Sequence, residues 1–227
     1  MHMNNQQVTA EFHCHTCYSV DSLVKVDQLI ETCREKGIGR VAITDHNCIA
    51  GALQAKELAP DLVIVGEEIE TTDGELIAYF LTEEIPAGLT SAEVIRRLKA
   101  QGAFISISHP FDLQRNGRWT TQKLEAIVPD LDGMEVFNSR CILSRYNDEA
   151  AAFAEHHHLA GLVGSDAHSL KELGRAVVML PPFNTAEELR QALKSAVLST
   201  NLSSPFIHLV SVLAKLVKKL SGIFNYS

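Results

Sequence analysis

A parallel β/α barrel of seven or eight strands, irregular in places, is the fold class this sequence predicts. Three observations carry that reading. Short apolar runs alternate with helix-period segments along most of the 227 residues, the pattern of a parallel β/α chain. These alternations are too many for a small doubly wound sheet. Histidines and acids recur directly after the apolar runs, where the βα-loops of a parallel barrel build active sites.

The elements follow in order. Val8 to His13 reads as the first strand, and a helix from about Val26 to Lys36 stops at Gly37. Arg40 to Thr44 and Leu62 to Val65 are the second and third strands. Glu75 to Leu81 is the fourth, reached through the turn signal Asp73-Gly74. Thr90-Ser-Ala-Glu93 is a capping box opening a helix to Gln101, which Gly102 ends. Strands at Ala103 to Ser108, Gly133 to Phe137 and Leu159 to Gly164 come next, the last two separated by a helix around Ser144 to His157. A short run, Ala176 to Leu180, ends at Pro181-Pro182, and Thr185 caps a helix to about Leu198. The barrel is assigned to residues 8–200 and a C-terminal amphipathic helix to 201–227. In that tail Phe206, Leu209, Val210, Leu213, Leu216, Val217, Leu220 and Phe224 form one apolar stripe, with Lys215, Lys218 and Lys219 on the other side. The stripe predicts a helix packed onto the barrel or onto a second subunit, which makes it the candidate homo-oligomer contact. That reading is preferred to an amphipathic membrane-surface helix, and the run is too interrupted to be a transmembrane segment.

Composition narrows the function classes. The formal charge is −8 at pH 7 and basic residues are scattered, which argues against a long nucleic-acid footprint. A small phosphorylated substrate is compatible, because bound metal ions would add local positive charge. The five cysteines (Cys14, Cys17, Cys33, Cys48, Cys141) are irregularly spaced, and nothing resembles a secretory signal. Reduced thiols in a cytoplasmic protein are the expectation. Cys14 alternates with its histidine neighbours along a strand and points away from them.

The chemistry sits in the histidines and acids. His13 and His15 end the first strand on one side of it. Asp45-His46 follows the second strand, Glu67-Glu68 the third, His109 the fifth, and Asp166-Ala-His168 the strand ending at Gly164. Asp21 lies in the first loop. Imidazole with carboxylate is the ligand mix for Zn²⁺, Mn²⁺ or Fe²⁺, and so many candidates exceed what one catalytic zinc needs. Two or three divalent ions, with a bridging carboxylate, are implied. His156, His157 and His158 on a helix end, and His2 and His208 in the terminal segments, are assigned no role.

In this order the residues resemble the PHP (polymerase and histidinol phosphatase) family. The matching segments are Phe12-His-Cys-His-Thr16 with Ser19-Val-Asp21, Ala42-Ile-Thr-Asp-His-Asn47, Gly66-Glu-Glu-Ile69, Ser108-His-Pro-Phe111, Glu135-Val-Phe-Asn138 with Arg140, and Gly164-Ser-Asp-Ala-His168 leading to Glu172-Leu-Gly174. The resemblance implies a distorted (β/α)7 TIM-like barrel holding up to three metal ions. It places His13, His15, Glu68 and Asp166 on a first ion, Glu68 and His109 on a second, and Asp21, His46 and His168 on a third. Many members have a histidine shortly after the bridging glutamate; Glu75 stands at the comparable place and is a further candidate ligand.

The expected activity is metal-dependent hydrolysis of phosphate mono- or diesters in a nucleotide, a short single-stranded nucleic-acid end or a small phosphorylated metabolite, by a water activated between ions. Arg140 and Arg115 are candidate phosphate contacts. Asp45 is expected to orient His46 or shuttle a proton, and His168 to protonate the leaving group if it holds no metal. Two alternatives are a C–N or C–O hydrolase of amidohydrolase type, whose carboxylated lysine at a strand end has no counterpart here, and a non-catalytic metal-binding PHP module.

Overall fold

The computed structural model describes residues 7–115 and 119–222; His2 and Phe224 lie outside them. Strand β1 (Val8–Cys14) runs parallel to β2 (Arg40–Ile43), and β2 parallel to β3 (Val63–Glu70). Helices α1 (Val26–Glu35) and α2 (Ala50–Leu58) make the two crossovers that parallel pairing requires. The helix α2 was not anticipated, because its buried stripe consists of Gly51, Ala52 and Ala55, too small to register as an apolar pattern.

The sheet then departs from the all-parallel expectation. β4 (Glu75–Tyr79) pairs antiparallel with β3, since the turn joining them is too short for a crossover. β5 (Phe104–Ile107), reached through α3 (Ser91–Ala100), pairs antiparallel with β4. After α4 (Thr121–Ile127), β6 (Gly133–Asn138) and β7 (Ala160–Gly164) form a separate parallel pair joined through α5 (Ser144–His156). β8 (Ala176–Leu180) then adds antiparallel to the free side of β1. The helix capped by Thr185, α6 (Ala186–Ala192), ends earlier than its sequence pattern indicated, and Val197–Thr200 is an edge strand, β9, antiparallel to β8. The open ladder of β8 and the β-branched Val197 and Thr200 outweigh the helical continuation there.

The result is a mixed α/β fold built on a curled sheet of order β5-β4-β3-β2-β1-β8-β9. Its curl brings β6 beside β5 and β7 beside β1. The Asp132 amide donates to Ile105 O (2.8 Å), and the His15 amide to Ala167 O (2.9 Å) just past β7. An inner apolar cluster including Phe12, Ile64, Tyr79 and Phe104 fills the curl and takes in Phe183, from the segment before α6, and Leu189 of α6. An outer cluster, with Leu29, Val41, Val63, Val94 and Leu98, joins the sheet to its helices. The polar residues are left to one end of the curl.

Helix α7 (His208–Ser221) overturns the expected packing of its apolar stripe onto the barrel. Its buried residues are Ser211, Ala214 and Lys218. Lys218 donates to Cys17 O (2.7 Å) and to Ser19 O, and Arg140 Nη2 donates to Ser211 Oγ (2.8 Å). The loops it crosses offer carbonyls and a guanidinium, so the polar face docks and the stripe is left outward.

The β3–β4 turn sets where Glu75 lies. Thr71 Oγ1 donates to Gly74 O (2.6 Å), and Trp119 covers Gly74 so closely that any Cβ there would overlap the indole. Asp73 Oδ2 accepts from the Ser91 amide (3.0 Å) and hydroxyl (2.7 Å), and Oδ1 lies 2.7 Å from Lys123 Nζ. Lys123 and Ser91 together hold the Asp73 carboxyl down at about 2. A depressed folded pKa stabilises above the unfolded value and is lost as pH falls through the folded one. Asp73→Ala should therefore cost about 1 kcal/mol at neutral pH, in a gap to the parent that closes between 3.8 and about 2. Urea titration across that range is the check, and equal stability at pH 7 would remove Asp73 from this role.

Candidate metal centre

The strand ends converge on one buried cluster. A register shift in the β1–β2 ladder between Glu11 and Cys14 places Phe12 in the inner core and His13 directly after it in the site. His13 Nδ1 donates to Glu135 Oε1 (2.9 Å). His15 Nδ1 donates to Ser19 Oγ (3.0 Å), whose own hydrogen goes to Asp45 Oδ1 (2.7 Å). These bonds orient the rings and turn the two Nε2 atoms toward each other, 3.1 Å apart.

Two carboxylate oxygens complete the group. Glu68 Oε2 lies 3.4 Å from both Nε2 atoms, and Asp166 Oδ1 lies 3.7 Å from His13 Nε2 and 3.3 Å from His15 Nε2. Both oxygens are buried with no well-aligned hydrogen-bond donor, the nearest further nitrogen being His46 Nδ1, 3.0 Å from Glu68 Oε2. An ion with tetrahedral ligands at roughly 2.0–2.2 Å separates its ligand atoms by roughly 3.3–3.6 Å. The spacings from the two imidazoles, 3.1 to 3.7 Å, are close to those around such an ion, His13, His15 and Glu68 offer ligand atoms all within 4.8 Å of one another, and the donor set suits a divalent cation.

Further ligand sets flank it. Glu68 Oε1 lies 3.0 Å from His109 Nε2, and Glu68, Glu75 and His109 offer ligand atoms all within 4.8 Å of one another. Glu75 starts an antiparallel strand, so the start of β4 sits beside the ends of β3 and β5; that register brings it here. On the other side, Asp21 Oδ1 lies 3.1 Å from His168 Nε2 and 3.5 Å from His46 Nε2. His168 Nδ1 donates to Asp166 O (2.8 Å), which aims its Nε2 at Asp21. The structure thus brings together His13, His15, Asp21, His46, Glu68, His109, Asp166 and His168, with Glu75 at the margin.

Electrostatics require positive charge at the centre. Burial opposes ionisation of Glu68, but His13 and His46 outweigh it and hold the carboxyl well below its usual range. For Asp166 burial is overcome by Arg115, then His13. His13 is raised well above the usual imidazole value, burial being outweighed by Glu68, Glu135 and Asp166. His15 is held well below, by burial and then by repulsion from His168 and His46. Backbone strain accompanies this crowding: His109 (φ 27°) and Asp166 (φ 50°) sit in the left-handed region, at about 1–3 kcal/mol each.

Other candidates lie differently. Asp45 was expected to orient His46 but does not bond its ring; it accepts from the Thr16 amide and hydroxyl (both 2.6 Å) and from Ser19, and so acts on His15. Its position under the first loop, rather than in the third ligand set, is the reason. Arg140, expected to face phosphate, is buried, with Nη1 on Asp166 O (3.4 Å), Nη2 on Ser211, and Nε 3.6 Å from Glu172 Oε1. It is a strut between the β7 loop and α7. Arg115 is at the mouth, 22 % exposed, with Nη2 on Asp166 Oδ2 and Nε 3.4 Å from Asp112 Oδ2. Glu67, inside β3 rather than after it, faces away from Glu68, accepting from the Ile85 amide (3.0 Å), and burial pushes its carboxyl up to about 8. Cys14 donates to Ala42 O (3.3 Å), and no cysteine belongs to a ligand group among the described residues.

Three supporting residues had no role assigned from sequence, although Glu135 and Ser19 stand in the segments that carry the family resemblance. Glu135 accepts from His13, from the His109 amide (2.8 Å) and from Asn138 Nδ2 (3.0 Å). Glu11 accepts from the His13, Ser165 and Gly174 amides (3.2, 3.0 and 3.0 Å) and from the Ser165 hydroxyl. Ser19 links His15 to Asp45. For the glutamates a signal existed: a lone acid inside an otherwise apolar strand run has to be satisfied internally.

Fold and site together define a mixed α/β chain with a carboxylate–imidazole centre, and known sequences agree. The PHP domain profile matches residues 11–102 and the PHP-associated profile residues 144–198. Two uncharacterized proteins of Methanocaldococcus jannaschii are similar in sequence. MJ0417 is 37% identical over 177 residues, covering 77% of this chain and 71% of that protein; MJ1587 is 37% identical over 143 residues, covering 57% and 81%. This chain belongs to the PHP family. Among solved structures, a provisionally assigned metal-dependent phosphoesterase from Bifidobacterium adolescentis shares the fold at TM-score 0.62 and 20% identity, over 82% of this chain and 95% of that one. PsfC from Pseudomonas syringae does so at TM-score 0.69 and 15% identity, over 93% and 99%. An amidohydrolase from Chromobacterium violaceum, solved with bound sulfate and no metal, has TM-score 0.57 and 12% identity, over 89% and 96%. At these identities the likeness is one of fold.

One position exposes how tightly the centre is packed. A Cβ on Gly164 would overlap both Glu135 Oε1 and the His13 side chain. Gly164→Ala should therefore destabilise the protein by about 1–3 kcal/mol, read by urea titration. Parental stability in that variant would show that the His13–Glu135 pair has room to move.

Proposed function

We propose that this chain is a metal-dependent phosphoesterase acting on phosphate mono- or diesters of a nucleotide, a short oligonucleotide end or a small metabolite. The observation that carries the reading is the cage of His13 Nε2, His15 Nε2, Glu68 Oε2 and Asp166 Oδ1, whose carboxylate oxygens are buried without a well-aligned hydrogen-bond donor. These residues would hold one ion; Glu68 Oε1, His109 and Glu75 a second; and Asp21, His46 and His168 a third. Zn²⁺, Mn²⁺ and Fe²⁺ all suit that ligand mix. Divalent ions there supply an activated water and polarise phosphoryl oxygens.

The chain's own groups do the rest. Arg115, reaching the mouth from the loop after His109, supplies the guanidinium for a non-bridging phosphoryl oxygen. Glu135 and the Ser19–Asp45 pair fix the rings of His13 and His15, so the Nε2 atoms stay aimed. His168 keeps its Nδ1 hydrogen on Asp166 O and turns Nε2 to Asp21; where that site holds no ion, a second proton on Nε2, shared with the Asp21 carboxylate, would be the one passed to the leaving oxygen.

Three outcomes test this. Glu68→Ala or Asp166→Ala should abolish hydrolysis of a phosphate mono- and diester panel supplied with Mn²⁺ or Zn²⁺, and lower metal content by elemental analysis; full activity in either would end the proposal. Arg115→Ala should lower kcat/KM by about 100-fold with metal content retained, and loss of metal instead would make Arg115 structural. Metal should also stabilise the fold: an ion at about 100 times its Kd adds about 2.7 kcal/mol, so the thermal midpoint should rise with Mn²⁺ or Zn²⁺ and fall back on chelation. A midpoint indifferent to both would contradict a preformed cage.

A further inference from the structure

Helix α7 is amphipathic, yet the face it turns to the protein is its polar one. Phe206, just before it, and Leu209, Val212, Leu213, Leu216 and Leu220 are each 52–79% exposed, on the side opposite Ser211, Ala214 and Lys218. Contiguous apolar surface of this kind marks a binding face. The polar face is fastened at both ends: His208 Nε2 lies 3.2 Å from Arg140 O and Lys218 donates to Cys17 O (2.7 Å). The helix is thus held as a ledge beside the metal centre, with Lys215 Nζ 3.5 Å from Asp21 Oδ2.

We propose that α7 seats the chain on a lipid surface bearing anionic headgroups, its apolar face in the acyl boundary and Lys215 and Lys219 at headgroup level. Charge selects this occupant. The whole chain carries −8, yet residues 202–222 hold no Asp or Glu, and with Lys218 turned inward the exposed Lys215 and Lys219 are the cations left beside the apolar face. A second copy pairing through α7 would bring only lysines to the margin of that contact, whereas anionic headgroups neutralise them. Leu23, Ile142 and Leu143, also exposed, lie on the same two loops that α7 touches. Length fixes the mode: His208–Ser221 has 14 residues, about 21 Å of helix against a hydrocarbon core of about 30 Å, so the helix lies along the surface. No described helix is long and apolar enough to cross a membrane. The inference is independent of the reaction proposed above, but it sets the mouth of that site at a lipid interface.

The test is sedimentation of the full chain with phosphatidylcholine vesicles, with and without phosphatidylglycerol. Binding is expected to the phosphatidylglycerol vesicles, weakening as salt rises. The double variant Leu213→Glu, Leu216→Glu should cut that binding by about tenfold or more, with the thermal midpoint and circular dichroism unchanged because both side chains are surface-exposed. Lys219→Glu should weaken it at low salt only. Absence of vesicle binding, or equal binding to neutral and anionic vesicles, would overturn the proposal. A dimer in sedimentation velocity that the leucine variant disperses, without vesicle binding, would assign the face to a second copy instead.

Discussion

Bringing anionic and imidazole groups together out of water, at one end of a curled sheet, is the constraint around which this protein is organised. Glu68 and Asp166 are buried with oxygens that meet no well-aligned hydrogen-bond donor, a state that costs several kcal/mol per ion unless positive charge sits beside it. Within the protein that charge comes from His13, His46 and Arg115; a divalent ion would answer the same demand. The left-handed backbone at His109 and Asp166 and the overlap awaiting any side chain at Gly164 are structural consequences of that convergence.

A second layer keeps the ligands aimed. Glu135 serves β1, β5 and β6 at once, through His13, the His109 amide and Asn138. Glu11 ties β1 to the segments on either side of the β7 loop, and burial raises its carboxyl to about 7 against those hydrogen bonds. Asp45 holds Thr16 and Ser19, and through Ser19 the His15 ring. Glu135 and Glu11 cross the two seams of the curl with side-chain bonds where no strand ladder runs. That is why β6 and β7 can form a separate pair while their ends remain in register with β1 and β5.

Much of the site was legible because strand period and loop position are local properties. His13 and His15 two apart, Asp45-His46 after an apolar run, and Asp166-Ala-His168 after Gly164 announce themselves without coordinates. The choice between Glu67 and Glu68 follows from strand alternation. Less legible were Glu75, whose approach depends on β4 running antiparallel, and Arg140, whose guanidinium is claimed by Asp166 O and Ser211 from distant segments.

What the sequence determined by itself is periodic and local: every strand but β9 and most helices, the caps at Thr90 and Thr185, the ligand types, and the amphipathic character of the tail. What only the tertiary structure decided is which partner each pattern meets. An apolar stripe states that a helix has two faces, but the loops under α7 present carbonyls and a guanidinium, so Lys218 went inward and Leu213 outward. Likewise the parallel or antiparallel sense of β4, β8 and β9 depended on which sheet edges remained open. Both outcomes are contests between distant groups for the same surface, and no window along the chain contains both contestants.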